Sequence, residues 1–419
     1  MYARIEKFLS RAMKRGTLEI VDHTGKVHRY GDGTGTPVRV RFTSELAERN
    51  VANNPDLKLG EEYVDQGFIV EQGTLYDFMM VLFDNVEGVL PPWPAVARAV
   101  YHYLTRRIDQ ANTMRRSRHN VHSHYDLDGR LYSLFLDADM QYSCAYFEDG
   151  VTSLDEAQLA KKRHIAAKLD LKPGQRILDI GSGWGGLGLY LAEHFDVDVT
   201  GVTLSDEQFA VANRRAEEKG LSRHARFLLQ DYRTIAGPFD RIVSVGMFEH
   251  VGVGHYGEFF QHVKRLLTRD GSMLLHSIGR TGRPGYTSKW IQKYIFPGGY
   301  IPSVSEVVPS IEKSGLYMTD VEILRLHYAK TLRAWHERFM AHREQVLTFF
   351  DERFIRLWDF YLTASEVAFR IGNLDNFQIQ LSKKFDALPL TRRYMVDAED
   401  ALRRKEASAV RSPVRVAGE

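Results

Sequence analysis

One stretch constrains this chain more than any other: an apolar run that leads straight into a glycine-rich turn, Arg176-Ile-Leu-Asp-Ile-Gly-Ser-Gly-Trp-Gly-Gly186. The apolar residues read as a buried strand, and a helical pattern follows the glycines. Gly181 and Gly183 carry no Cβ, so the backbone can turn sharply there and approach a ligand closely. The following helix would aim its unpaired amides at the same spot. Asp179 stands at the strand end, in reach of a ligand amine. The order is Asp-x-Gly-x-Gly, not the Gly-x-Gly-x-x-Gly of dinucleotide sites. The plainer alternative is a tight turn with no ligand.

The surrounding residues repeat the alternation. Strands are predicted at 176–181, 198–203, 225–230, 239–246 and 272–279, with helices at about 185–195, 205–219 and 255–268. Such alternation implies an α/β fold with a parallel sheet covered on both faces. Ligands then bind at the carboxyl ends of the strands. The zone at about 120–395 is therefore expected to be the catalytic domain.

A smaller α+β domain is expected over 1–90. Residues 1–15 have helical periodicity, with Ile5, Phe8, Leu9, Ala12 and Met13 on one side and Arg4, Lys7, Arg11, Lys14 and Arg15 supplying charge. Such a helix lies on an anionic membrane, or packs on its own domain with a solvated basic face. Short strands are predicted at 17–21, 26–30 and 38–42, and helices near 43–52, 58–65 and 74–84. Pro91-Pro-Trp-Pro94 marks a boundary. The linker over 91–119 carries Arg106, Arg107, Arg115, Arg116 and Arg118, which read as a solvated face or as contacts to phospholipid head groups. A basic, polar tail over 396–419 is expected to be disordered.

Composition excludes some classes. A net charge of +2 does not suit a nucleic-acid binder. No apolar run approaches the roughly 20 residues needed to span a bilayer, and the first residues lack the apolar segment of a secretory signal. The single cysteine, Cys144, rules out an intrachain disulfide and suits a reducing compartment. Despite 16 histidines, no spacing suggests a metal site.

Three strand ends carry chemistry. Asp179 follows the first strand. Glu249 and His250, in Gly246-Met-Phe-Glu-His250, follow the fourth, and His276, in Leu274-Leu-His-Ser-Ile278, lies near the end of the fifth. The topology would bring them to one crevice, as a general acid/base pair or as two ligands of a small anion. The second strand ends Gly201-Val-Thr-Leu-Ser-Asp-Glu-Gln208, where Ser205 and Gln208 read as a capping box.

Further motifs narrow the reading. They are Asn120-Val-His-Ser-His-Tyr-Asp126, Met140-Gln-Tyr-Ser-Cys-Ala-Tyr-Phe147, Gly246-Met-Phe-Glu-His-Val-Gly252, Lys293-Tyr-Ile-Phe-Pro-Gly-Gly-Tyr-Ile-Pro302 and Tyr328-Ala-Lys-Thr-Leu-Arg-Ala-Trp335. The glycine loop looks like that of Rossmann-like methyltransferases that use S-adenosylmethionine (SAM). With these motifs, the chain over about 40–390 resembles the cyclopropane-fatty-acyl-phospholipid synthases. One departure is Leu127-Asp-Gly-Arg130, where the family pattern places the glycine one position earlier.

The resemblance implies the reaction. The π electrons of a cis double bond in a phospholipid acyl chain attack the SAM methyl carbon as the bond to sulfur breaks. A base removes a proton from the transferred methyl, and the ring closes. The resemblance makes that base a bicarbonate, held here by Glu249, His276, Tyr328 and the backbone at Cys144 and Ile278. It places Tyr142 and Ser143 over the methionine end of SAM and Asp179, Gly181 and Gly183 beneath it. Thr203, Leu204 and Gln208 would meet the ribose, and Tyr232 the adenine. It further implies unsaturated phospholipids at an anionic membrane as partner, a homodimer, and a cytoplasmic enzyme on the inner face of the membrane, with the N-terminal domain aiding lipid binding and dimerisation.

Two other readings stay open. A relative would leave a methyl or methylene branch by losing a different proton. A non-catalytic lipid-binding protein would keep the fold, but with an eroded glycine loop or anion site. Small-molecule or RNA methylation shares only the fold class.

Overall fold

The protein is described by a computed structural model that covers residues 2–86 and 129–411. The 91–119 linker and the 120–126 motif lie outside the described residues.

The N-terminal zone runs α1 (Ala3–Ala12), β1 (Thr17–Val21), β2 (Val27–Gly31), β3 (Val38–Phe42), α2 (Glu45–Asn53), α3 (Pro55–Val64), β4 (Phe68–Gln72) and α4 (Leu75–Val86). Its sheet has the order β2-β1-β3-β4, with β1 and β3 parallel and the outer pairs antiparallel. Strand β4 was missing from the sequence expectations. On α1 and the three residues after it, Leu9, Ala12 and Met13 are buried and Arg4, Lys7, Arg11, Lys14 and Arg15 are exposed. The helix packs on its own domain and leaves its basic face to solvent.

The larger zone begins with α5 (Gly129–Phe135), α6 (Leu154–Leu169), β5 (Gln175–Ile180), α7 (Gly186–His194), β6 (Val197–Thr203), α8 (Asp206–Glu218), β7 (Ala225–Leu229) and β8 (Phe239–Val245). It continues with α9 (Tyr256–Leu266), β9 (Leu267–Arg280), α10 (Lys289–Tyr294), α11 (Val304–Ser314), β10 (Tyr317–Ile323), α12 (His327–Ala341), the short α13 (Arg343–Val346), α14 (Glu352–Ile371), β11 (Leu374–Ser382) and α15 (Arg393–Arg411). Its sheet has the order β10-β11-β9-β8-β5-β6-β7. The five expected strands are parallel, but the fully parallel sheet is corrected: β11 pairs antiparallel with both β9 and β10. Central strands are apolar on both faces, as Ile177, Leu178 and Ile180 show.

A second correction concerns the tail. Residues 396–411 are helical in α15, not disordered. Met395 and Leu402 are buried, and Glu399 reaches His164 Nδ1 at 2.6 Å. The amphipathic spacing of those two apolar residues outweighs the polar composition that suggested disorder.

The two zones share a core. One continuous apolar cluster joins Leu18, Val40 and Phe68 of the N-terminal sheet to Trp335, Trp358 and Tyr361 on α12 and α14. Among the described residues, no helix is long and apolar enough to cross a membrane.

Candidate active site

The glycine turn takes the form its sequence demands. Gly181 has φ +83°, and a Cβ there would sit 2.8 Å from Met247 Cβ. Gly183 is also left-handed, at φ +53°. Both positions favour glycine. Ser205 caps α8 through the Gln208 amide, and Thr203 Oγ1 donates to Gln208 Oε1 at 2.8 Å.

These residues open into a cleft at the carboxyl ends of β5, β6 and β8. All nine residues expected around the cofactor line it: Tyr142, Ser143, Asp179, Gly181, Gly183, Thr203, Leu204, Gln208 and Tyr232. The cleft adjoins a larger cavity of about 590 Å³. Cys144, Glu249, His276, Ile278 and Tyr328 line that cavity instead. Tyr142, Ser143, Gly246 and His250 line both. The residues expected in a single crevice thus line two adjoining chambers, between which the segment carrying Ser143 lies against Gly246 at the end of β8 and bonds to α12 through the Ala145 amide and Thr331 Oγ1.

The carboxyls in the two chambers are unusual. Asp179 is buried, its Oδ2 lacks a partner, and burial raises its pKa to about 7 against the opposing effect of Lys161. Glu249 is buried on the turn after β8. Its Oε1 accepts the Ile278 amide at 2.7 Å, whereas its Oε2 has no partner. Burial raises its pKa to about 7. An unpartnered buried carboxyl oxygen is costly, and so marks a place where a ligand belongs.

The other members are neutral. Burial lowers the pKa of His276 to about 3 and that of His250 to about 4. Burial also raises the Cys144 thiol far above its ordinary range, and the Sγ donates to the Ala145 carbonyl. A thiol held in that state is no nucleophile.

The large cavity is apolar and aromatic. Phe83, Trp290, Phe296, Phe360, Tyr361 and Phe369 line it, and Tyr142 Oη sits 2.8 Å from Tyr361 Oη. The N-terminal zone adds Pro55, Leu59 and Met79.

Comparison with known proteins decides the family. The model of the family described as mycolic acid cyclopropane synthetase matches residues 112–379. The cyclopropane-fatty-acyl-phospholipid synthase of Escherichia coli (strain K12) is 40% identical over 347 residues, which is 83% of this chain and 88% of that protein. The chain belongs to the cyclopropane synthase family. Within the family, the cyclopropane synthase MmaA2 from Mycobacterium tuberculosis superposes with a TM-score of 0.61 at 36% identity, covering 64% of this chain and 98% of that one. The mycolic acid cyclopropane synthase CmaA1, complexed with SAH and CTAB, gives 0.60 at 38% identity, with coverages of 64% and 98%. The fold is therefore that of the SAM-dependent methyltransferases, and the chain is an enzyme of that class.

The cleft fits SAM. Asp179 Oδ2 is an orphaned acceptor that suits an ammonium group, and the floor approaches closely only because Gly181 lacks a Cβ. The second chamber fits a small protonated anion. Glu249 Oε2 is an orphaned acceptor for an anion's O–H, and neutral His276 lies beside it with both ring nitrogens held by the amides of Asn376 and Gln378.

Several residues here escaped sequence reasoning. Lys161 is buried in the lining of the cleft and donates to Gln141 Oε1 at 2.7 Å and Ser143 Oγ at 2.8 Å. Asn376 and Gln378 flank His276 at 3.1 Å each. Lys161 lies in an ordinary helical pattern with no local signal. Asn376 and Gln378 alternate with Phe377 and Ile379, a period-two pattern that could have revealed β11. The shifted glycine of 127–130 also has a place: a Cβ on Gly129 would meet Glu207 Oε1 at 2.3 Å.

Proposed function

We propose that the chain adds a methylene unit from SAM to the cis double bond of an unsaturated phospholipid acyl chain, closing a cyclopropane ring, with bicarbonate as the base. The observation that carries this reading is Glu249 Oε2, buried and unpartnered in an apolar cavity that shares a wall with the cofactor cleft.

When bound, SAM supplies an electrophilic methyl group and bicarbonate a weak base. The residues do the rest. Asp179, Gly181 and Gly183 seat the cofactor, with Thr203, Leu204, Gln208 and Tyr232 around its nucleoside and Tyr142 and Ser143 over its methionine end. The apolar wall excludes water, which would otherwise capture a carbocation. The aromatic faces of Tyr142, Phe296 and Tyr361 offer electrostatic stabilisation to that positive charge. Glu249 accepts the proton of bicarbonate, Tyr328 and the Cys144 backbone hold the anion beside His276, and the Ile278 amide, which the sequence expectation gave to the anion, donates to Glu249 Oε1 and fixes that carboxylate instead.

The same reading covers place and partners. The exposed basic residues of α1 support docking on an anionic membrane, at the inner face of the cytoplasmic membrane. Homodimerisation rests on family resemblance alone. A methyl- or methylene-branched product is the second reading. It is favoured by a probable fatty acid methyltransferase of Pseudomonas putida, 38% identical over 65% of this chain and 72% of that protein.

The test is incubation with SAM and vesicles of cis-unsaturated phospholipid, followed by mass spectrometry and proton NMR of the acyl chains. A gain of one CH2 with high-field ring protons is expected. The same gain with olefinic protons establishes the branched product, and SAM binding without any gain refutes the lipid assignment.

A further inference from the structure

Strand β9 carries more than the reacting end of the site. His276, Ile278 and Arg280 all line the large cavity, two residues apart along an extended strand. Such spacing places all three on one face. Arg280 is half-buried. Its Nε donates to the Ile301 carbonyl at 3.3 Å and its Nη2 to the Tyr286 carbonyl at 2.6 Å. The 281–288 loop closes over the guanidinium: a Cβ on Gly285 would lie 3.3 Å from Arg280 Cζ.

The carbonyls orient the guanidinium without neutralising it. Among the described residues, no carboxylate forms an ion pair with Arg280; burial lowers its pKa against the weaker opposing pull of Tyr300, Glu306 and Tyr286. Asp56 lies on the same cavity wall, where its Oδ2 accepts the Lys289 amide at 3.1 Å. A second group follows Tyr286, whose carbonyl accepts from Arg280, directly in the chain. Thr287, on the closing loop, is buried and its Oγ1 has no partner, although it too lines the cavity. A partly desolvated cation and an orphaned hydroxyl lining one apolar cavity are both costly unless an anion joins them.

We propose that Arg280 and Thr287 form an anion subsite that holds the phosphodiester of the lipid substrate. The proposal rests on the lipid reading above and adds the group by which the lipid is held. Guanidinium geometry suits bidentate contact with phosphate oxygens, and a hydroxyl donates to a third. The subsite also sets a length. Four residues of extended strand separate His276 from Arg280, roughly 13 Å of backbone. An anchored phosphodiester therefore favours double bonds at one distance along the acyl chain.

The test compares cis-unsaturated phosphatidylglycerol with diacylglycerol bearing the same chains, in mixed detergent micelles with SAM. In Arg280→Met, the ratio of kcat/KM for phospholipid over diacylglycerol should fall at least tenfold, mainly through KM. The preference among double-bond positions should flatten in parallel. Thr287→Val should lower the ratio less, and Arg280→Lys should recover part of it. SAM titration of each variant verifies folding. An unchanged ratio, or an equal loss on both lipids in a variant that binds SAM normally, overturns the subsite. If wild-type protein converts neither lipid, the underlying lipid reading fails instead. Inorganic phosphate separates the sources: an Arg280-dependent rise in melting temperature with phosphate, and an unchanged lipid ratio, would assign the subsite to the free ion and overturn the lipid assignment.

Discussion

Gln378 and His276 face each other across the β11–β9 pair, with Gln378 Nε2 3.1 Å from His276 Nδ1. Asn376 Nδ2 stands at the same distance from Nε2 on the other side of the ring. A neutral imidazole has one N–H and one lone pair. One of the two amides must therefore present its oxygen, and the choice fixes the His276 tautomer. Replacing Gln378 with Leu leaves a buried ring nitrogen unpaired, which costs about 1–3 kcal/mol. Denaturant unfolding should show that loss. Turnover should fall as well, while SAM titration stays close to wild type.

Glu249→Gln should reduce kcat by about 10²-fold or more, the range for a positioned acid/base group, and leave SAM affinity in place. With the Glu249 pKa raised to about 7 by burial, activity should climb as pH passes through about 7 and the carboxylate forms. The variant should lack that rise. Full activity of Glu249→Gln with bicarbonate present would remove Glu249 from the mechanism.

Asp179 links cofactor binding to pH. Its pKa lies above the unfolded value, at about 7. In the free protein, its contribution to stability is therefore present at low pH and is lost as pH rises from about 4 through 7. A cationic ligand reverses the preference, because it binds the ionised form. Calorimetry should find SAM affinity increasing between pH 6 and 8. Asp179→Asn should flatten that dependence and weaken binding by about 1–3 kcal/mol.

His164 ties α15 to the sheet. Its ring lies 2.6 Å from Glu399 and 2.8 Å from Glu322. Burial opposes protonation, but the two carboxylates prevail and raise its pKa above 6.5. The stability it confers is fully present below about pH 6.5 and disappears as pH rises through the folded value. Glu399→Gln should shrink this slope in thermal melts taken from pH 6 to 9.

Leu402→Ala tests the same helix through packing. Leu402 is 5% exposed. Its truncation should cost about 2–5 kcal/mol, which a flexible tail would not.

Much of this architecture was legible because its signals are local. Arg176 to Gly186 announces strand, turn and helix within eleven residues, and the motifs that carry Glu249 and His276 each sit at a strand end. What stayed hidden depends on distant partners. Strand β10 exposes Tyr317, Met318, Val321 and Ile323 at a sheet edge, so its pattern has no buried face to read. Both faces of β11 are buried, but one of them presents amides, which look like surface residues until His276 is placed between them. Helix α15 is rich in charge, and its order rests on the buried Met395 and Leu402 and on contacts with His164, Arg163 and Tyr190.

Strand β9 is fourteen residues long and is paired on both sides, parallel to β8 and antiparallel to β11. A one-residue slip would turn His276, Ile278 and Arg280 away from the cavity together and bring Ser277 and Gly279 into their places. Substitutions can tune each of the three separately, but an insertion or deletion within the strand alters all of them at once. Lineages of this enzyme should accordingly change their substrate preference by exchanging side chains at fixed strand length, and place their length variation in the 281–288 loop.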